Sequence, residues 1–260
     1  MFEARLLQGT ILKKALEAIK EMVKDGNWEC SSSGISMQSM DFSHVALIML
    51  NLKESLFDKY RCDRNVTLGL NHETLSKILK CAANDDVITL KAADQPDEIN
   101  ILFQSSNDEK TSEFVVKLID FDGEQLGIPD TEYTATIKLP SQEFQRICRD
   151  LSQFGDTVVI SAKKGSVEFS GSGDVGTAKI VLKENGGIDD DDKISVEMDK
   201  DQPCSLSFAN RYLNNFTKAT PLSDTVTLQL CPENPLVVSY DISNMGFMKF
   251  YLAPKIEEED

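Results

Sequence analysis

Lys13, Lys14, Lys20, Lys77, Lys80, Arg146, Arg149, Arg211 and Lys218 fall in four stretches whose apolar residues repeat at helical spacing. Only five acids share those stretches, Glu17, Glu21, Glu73, Glu143 and Asp150, so the four together carry about +4. The remainder of the chain lies near −20, against −16 for the whole. Lysine and arginine set opposite phosphates gain affinity by releasing counterions and carry no base information. Single strands would call for exposed aromatic rings on which bases stack, and these stretches present no such series. The chemistry to expect is therefore contact with the backbone of a duplex, weak for one open copy and stronger if several copies enclose it.

Two acidic groupings admit another chemistry. Asp120-x-Asp122 and Asp189 to Asp192 could hold a divalent metal for nuclease or phosphatase work. The two histidines, His44 and His72, lie in unrelated contexts, and no GxxxxGK loop exists. A solvated loop explains the four aspartates more simply, so neither a metal nor a cofactor is expected. The acidity and the EEED ending would also suit a chaperone for basic proteins, but such a protein has no use for basic helix faces.

The elements that must position the cations are readable. Residues 8–24 place Ile11, Leu12, Ala15, Leu16, Ile19, Met22 and Val23 on one stripe, with Asp25-Gly26-Asn27 as the stop. Asn71 is a helix N-cap for a segment reaching about Ala83, with Leu75, Ile78, Leu79 and Ala82 inward. A third helix runs from Ser141 to about Phe154 on Phe144, Ile147, Cys148 and Leu151. A fourth runs from Ala209 to about Ala219 on Tyr212, Leu213 and Phe216, closed by Pro221. Between them lie alternating runs that read as strands, including VALIMLNL, VITLKAA, EINILFQ, DTVVISA, SVEFSG and FMKFYLA. Each half thus reads helix, strands, helix, strands, as duplication of one unit would give. The expected class is α+β, with two similar domains, each of two helices on antiparallel β-sheet.

Length and composition agree. The 260 residues suffice for two domains of ordinary size, and 41% apolar content supports real cores. The start of the chain has charges scattered through its apolar positions, unlike a secretion signal. Six dispersed cysteines without a CxxC pattern are expected to be reduced thiols, which suits a cytosolic or nuclear setting. The stretch Lys117 to Thr134 has no helical or strand period and breaks at Gly127-Ile128-Pro129, so it reads as a connector. Its Leu118, Ile119, Phe121, Leu126 and Ile128 are too apolar for a solvated tether. They fit a connector packed on the surface it crosses or, on a sharper reading, one that also offers an apolar face to a partner. The resulting divisions are residues 1–117, 118–134 and 135–260. TSEFVVKL at 111–118 and TAKIVLK at 177–183 have the short, lysine-bearing look of exposed edge strands, and could pair between copies to close a ring.

Several motifs go further. MFEARL, SMDFSHVAL (39–47), YRCDRN (60–65), LSKILKCA (75–82), EQLGIP (124–129), RICRDLS (146–152), FTKATPLS (216–223) and YLAPKIEEE (251–259) resemble the proliferating cell nuclear antigen family, the eukaryotic sliding clamps of DNA replication. The resemblance spans nearly the whole chain. It implies a nuclear, non-catalytic homotrimeric ring of the DNA clamp fold, needing no cofactor. Such a ring tethers DNA polymerases, flap nuclease and DNA ligase to duplex DNA after a clamp loader opens it. The nine cations named above would face the DNA.

Partner peptides of the form Gln-x-x-apolar-x-x-aromatic-aromatic would dock on Met40, His44, Val45, Leu126, Ile128, Pro235, Tyr251, Leu252, Ala253 and Pro254. Contact between copies would use Lys110, Phe114, Val116, Cys148, Leu151, Val175, Ala178 and Ile180, with Phe114 standing where tyrosine is common. Lys164 matches the site of ubiquitin-type conjugation that recruits damage-tolerant polymerases. A subunit of the checkpoint-type heterotrimeric clamp would share the fold.

Overall fold

The computed structural model describes residues 1–256 apart from 108, 124, 129–130, 186–192, 200–201 and 233. The four aspartates at 189–192 and Pro129 therefore lie outside the described residues. The described chain divides into two compact units. The first comprises 1–42, 48–126 and 242–248; the second comprises 43–47, 127–241 and 249–260.

The element order shows the duplication directly. The first half runs β1 (Phe2–Leu6), α1 (Thr10–Ile19), β2 (Asp25–Ser31), β3 (Gly34–Met40), β4 (Ala46–Lys53), β5 (Lys59–Cys62), β6 (Val66–Asn71), α2 (His72–Leu79), β7 (Val87–Ala92), β8 (Glu98–Gln104) and β9 (Thr111–Lys117). The second runs β10 (Ala135–Pro140), α3 (Ser141–Leu151), β11 (Thr157–Lys163), β12 (Ser166–Gly173), β13 (Gly176–Lys183), β14 (Ser195–Met198), β15 (Cys204–Ala209), α4 (Asn210–Phe216), β16 (Thr225–Leu230), β17 (Leu236–Asp241) and β18 (Gly246–Leu252). Helices and strands fall in the same order in both.

The sheets repeat too. In the first unit the strands are ordered β5-β1-β7-β8-β9 and β4-β3-β2-β6; in the second, β14-β10-β16-β17 and β13-β12-β11-β15. Within each pair of orders, β1 corresponds to β10, β2 to β11 and β7 to β16. Every strand pair with a described register is antiparallel, for example Phe2 opposite Ala92 and Val158 opposite Gly171. β9 ends one sheet and β13 another, as their lysine-bearing alternation implied. The fold is α+β with antiparallel sheets.

The helices sit where their stripes require. In α1 the buried residues are Leu12, Ala15, Leu16, Ala18 and Ile19; in α3 they are Phe144, Ile147, Cys148 and Leu151, with Ser141 at its start. Asn71 caps α2, its side chain accepting from the Thr74 N–H at 2.8 Å. Past the other end of α2, the Lys13 ammonium of α1 donates to the carbonyls of Ala82 and Ala83. In the second unit Asn210 and Asn214 of α4 both donate to the Cys148 carbonyl of α3 at 3.2 Å, which also accepts the Ser152 N–H.

Four sequence expectations need correction. β1 is not among the expected strands: in FEARL, Phe2, Glu3, Ala4 and Leu6 are all buried and only Arg5 is half-buried. Asp25-Gly26-Asn27 is not a helix stop but the start of β2, pairing with β6; α1 has already ended at Ile19. A methyl at Gly26 would lie 2.9 Å from His72 Cε1, so glycine lets β2 pass the ring. α2 and α3 also end earlier than expected, at Leu79 and Leu151. The last helix tightens into a 3-10 turn from Thr217 to Leu222 that contains Pro221 rather than ending before it.

Behind α2 lies a buried polar chain. The Trp28 indole N–H donates to His72 Nε2 at 3.0 Å, and His72 Nδ1 lies 2.9 Å from the Val23 carbonyl. An accepting Nε2 makes Nδ1 the protonated nitrogen, so the ring is neutral and ties β2, the turn after α1 and the start of α2 together. Burial holds its pKa below the ordinary value. The cysteines are free: Cys30, Cys148 and Cys204 are buried, Cys62 and Cys231 are half-buried, and Cys81 is exposed.

Candidate nucleic-acid interface

In the first unit α1 and α2 pack side by side, and their outward positions carry the expected cations. Lys14, Lys77 and Lys80 are exposed, while Lys13 and Lys20 are half-buried. In the second unit Arg146, Arg149 and Arg211 are exposed on α3 and α4, and Lys218 follows half-buried. The Arg211 guanidinium sits 5.0 Å from the centre of the Tyr212 ring. Tyr212, Phe144 and Phe216 all point into the core, so no aromatic platform accompanies the bases.

The cations are not bare. Lys20 Nζ lies 2.6 Å from Glu17, and Lys80 Nζ lies 3.4 Å from the same carboxylate. Ser76 donates to it at 3.1 Å. The hydrogen bond from Lys20 is the largest influence holding the Glu17 carboxyl below its usual range, and Glu17 in turn raises Lys20. Lys77 pairs with Glu73 at 2.7 Å, Arg146 with Asp150 at 3.6 Å, and Arg149 with Asp150 at 3.5 Å. Lys13 is not outstretched: its ammonium donates to the carbonyls of Ala82 and Ala83 in the turn that follows α2.

The connector is firmly seated where it leaves β9. Leu118 N–H donates to the Asp97 carbonyl and Ile119 N–H to the Gly69 carbonyl, both at 2.9 Å. Gly69 is needed because a methyl there would collide with the Ile119 carbonyl. Asn27 Nδ2 donates to the Phe121 carbonyl at 2.8 Å. Gln38 of β3 then clasps both backbone polar groups of Leu126: Nε2 donates to the Leu126 carbonyl at 2.9 Å, and the Leu126 N–H donates to Oε1 at 2.6 Å. The Leu126 side chain stays 43% exposed. This part of the stretch is a packed connector with an apolar outward face, as its composition implied.

The residues expected to receive partner peptides fall in both units. Met40, half-buried, and Leu126 belong to the first. His44, Val45, Ile128, Pro235, Tyr251, Ala253 and Pro254 belong to the second, where His44 adopts the left-handed conformation at φ 55° and the Ala253 N–H donates to the Val45 carbonyl at 3.2 Å. Tyr251 is half-buried, and burial raises its phenol pKa. Leu252 is a correction: its side chain is wholly buried, as strand alternation requires, and only its backbone is offered. Phe42, which sequence reading passed over, is 70% exposed beside Met40. A large apolar residue inside SMDFSHVAL was its only signal.

Among residues expected to meet another copy, Lys110, Phe114 and Val116 lie on or beside β9, and Val175, Ala178 and Ile180 on or beside β13. Phe114 packs on Phe103 with ring centres 5.2 Å apart, and Val175 is strongly exposed. Cys148 and Leu151 are corrections, since both are buried on the inner stripe of α3 and neither side chain reaches a surface. Lys164 is exposed at the turn between β11 and β12, where Gly165 takes φ 73°.

Among the described residues no group of three His, Cys, Asp or Glu side chains is disposed to hold a metal ion. No helix among them is long and apolar enough to cross a membrane.

Two family models cover nearly all of the chain. One, described as proliferating cell nuclear antigen, N-terminal domain, matches residues 1–125. The other, described as proliferating cell nuclear antigen, C-terminal domain, matches residues 127–255. With the duplicated α+β architecture and the paired sets of basic helices, these matches establish that the chain belongs to the proliferating cell nuclear antigen family of sliding clamps.

Proposed function

We propose that this chain is a eukaryotic replicative clamp. It closes as a homotrimeric ring around duplex DNA after a clamp loader opens it, and tethers polymerases, flap nuclease and DNA ligase to that DNA. The observation that carries this reading is the recurrence of exposed cations on the outer side of both helix pairs, in a chain whose net charge is −16. A strongly acidic body would repel nucleic acid unless the positive charge were gathered on one surface.

Lys14, Lys20, Lys77, Lys80, Arg146, Arg149, Arg211 and Lys218 would meet phosphates, with Lys13 adding charge from the turn after α2. Edge strands β9 and β13 would pair between copies, a heterologous contact that closes a ring when the rotation allows. Leu126 and Ile128 would join Met40 and Tyr251 in receiving Gln-x-x-apolar-x-x-aromatic-aromatic peptides. The protein would act in the nucleus without catalysis of its own, and Lys164 would accept ubiquitin-type conjugation during translesion synthesis and repair.

Reversing the charge at Lys20, Lys77, Lys80 and Arg149 together should abolish most polymerase stimulation on primed circular DNA while native mass spectrometry still finds a trimer. Unchanged stimulation would remove the DNA-facing assignment. An obligate monomer in the unaltered chain would instead favour a heterotrimeric, checkpoint-type clamp.

A further inference from the structure

The acids on the basic helix faces are placed with a regularity that net charge alone does not require. Glu17 lies between α1 and α2, where it engages Lys20, Lys80 and the Ser76 hydroxyl at once. Glu73 holds Lys77 one helical turn away. In the second unit Asp150 faces both Arg146 and Arg149. Five of the nine cations assigned to DNA therefore already have a carboxylate beside them.

Stability alone is a poor reason for such pairs. Exposed ion pairs and i, i+4 helix pairs contribute little to folding and are screened by salt. Glu17 departs from the simple helix pair: it joins two helices, and Lys20, its closest partner, has a side chain only 19% exposed. This carboxylate fixes where two ammonium groups stand and halves the charge that they present together.

For a protein that must hold duplex DNA and yet move along it, the pairing has a direct consequence. A lysine with a carboxylate beside it gains little by moving to a phosphate, because it exchanges one anion for another. On leaving that phosphate it returns to its own carboxylate and not to bulk water. Contacts made this way are shallow and quickly replaced.

We propose that Glu17, Glu73 and Asp150 are positioning residues for sliding: each supplies an internal counter-anion that competes with DNA phosphate and keeps the duplex loosely held. The inference rests on the clamp reading above and assigns a role to the acids of that surface, not to its bases.

The test uses the full-length trimer loaded on stretched duplex DNA with blocked ends, with diffusion followed on single molecules. Glu17→Gln/Glu73→Gln/Asp150→Asn removes the three charges; glutamine at 17 still accepts from Ser76, which guards the helix contact. The variant should diffuse at least about threefold more slowly at low salt. Its salt dependence should steepen by roughly 0.9 for each added phosphate contact, and the difference should vanish at high salt. Glu17→Asp alone should stay close to the unaltered protein, because the charge is kept. Lys20→Ala/Lys80→Ala should diffuse faster than the unaltered protein.

If the charge-neutral variant diffuses like the unaltered protein while the lysine variant speeds up, the counter-anion role is wrong and the clamp reading stands. If neither variant changes diffusion, or the unaltered protein is not retained on circular DNA, both fall.

Discussion

Gln38→Ala tests whether the outward face of the connector is held in place or merely rests there. The substitution removes two hydrogen bonds, from Gln38 Nε2 to the Leu126 carbonyl and from the Leu126 N–H to Gln38 Oε1. Intramolecular hydrogen bonds contribute about 0.5–1.5 kcal/mol each, net of water. Both bonds here are solvent-exposed, so the pair should stabilise the local closed state by about 1–2 kcal/mol. That corresponds to a five- to thirtyfold rise in the open population, which is roughly the factor by which Leu126 amide exchange should accelerate.

The readout is direct, because the Leu126 N–H is itself one of the two donors. Hydrogen exchange by NMR supplies an internal control in Ile119, whose N–H is held by the Gly69 carbonyl and makes no contact with Gln38. Its exchange should stay within about twofold, as expected of an independent local opening. A partner peptide that needs Leu126 preorganised should lose affinity by a comparable factor. Unchanged exchange at Leu126 would refute the clasp. An equal rise at Ile119 would show that the substitution loosened the unit as a whole.

Gly69→Ala should act on the other end of the same segment: the new methyl collides with the Ile119 carbonyl, and overpacking of this kind costs about 1–3 kcal/mol. Ile119 exchange should rise more than Leu126 exchange, and the reverse order would contradict the packing described. His72 gives a pH dependence. Its folded-state pKa is depressed from an ordinary value of 6.5 by burial, so below that pH the unfolded chain takes up a proton that the folded ring refuses. Stability should fall as pH drops through 6.5, with this residue contributing at most about 1.4 kcal/mol per pH unit. His72→Gln should show a shallower loss of melting temperature between pH 7 and 5; identical slopes would exclude His72 as a source of the dependence.

The four helices and the duplicated order were legible because burial imposes the 3.6-residue period on any chain that uses it, and Leu12, Leu16 and Ile19 or Phe144, Ile147 and Leu151 show it plainly. Helix lengths were overrun at α1, α2 and α3, since apolar residues such as Met22, Val23 and Ala82 stay buried in the turns that follow. Periodicity reports which face is buried and is silent on where the backbone stops being helical.

Site residues divide along the same line. The cationic faces were readable as composition. The pairing of Glu17 with Lys80, 63 positions apart, and of Gln38 with Leu126, 88 apart, depends on which elements become neighbours. Cys148, Leu151 and Leu252 belong to the expected interfaces through family position alone, while the stripes of α3 and β18 put their side chains inside.

The distribution of thiols described above has a practical reach. Cys81, just past the end of α2, is the one exposed cysteine, while burial raises the pKa of Cys30, Cys148 and Cys204 and so suppresses their thiolates. A maleimide dye offered to the native protein should therefore attach first next to Lys80, with no engineered residue. The chain thus carries its own reporter position at the edge of the proposed DNA-facing surface. Its brightness or lifetime would register a duplex passing nearby, so that occupancy could be followed without altering any of the cations.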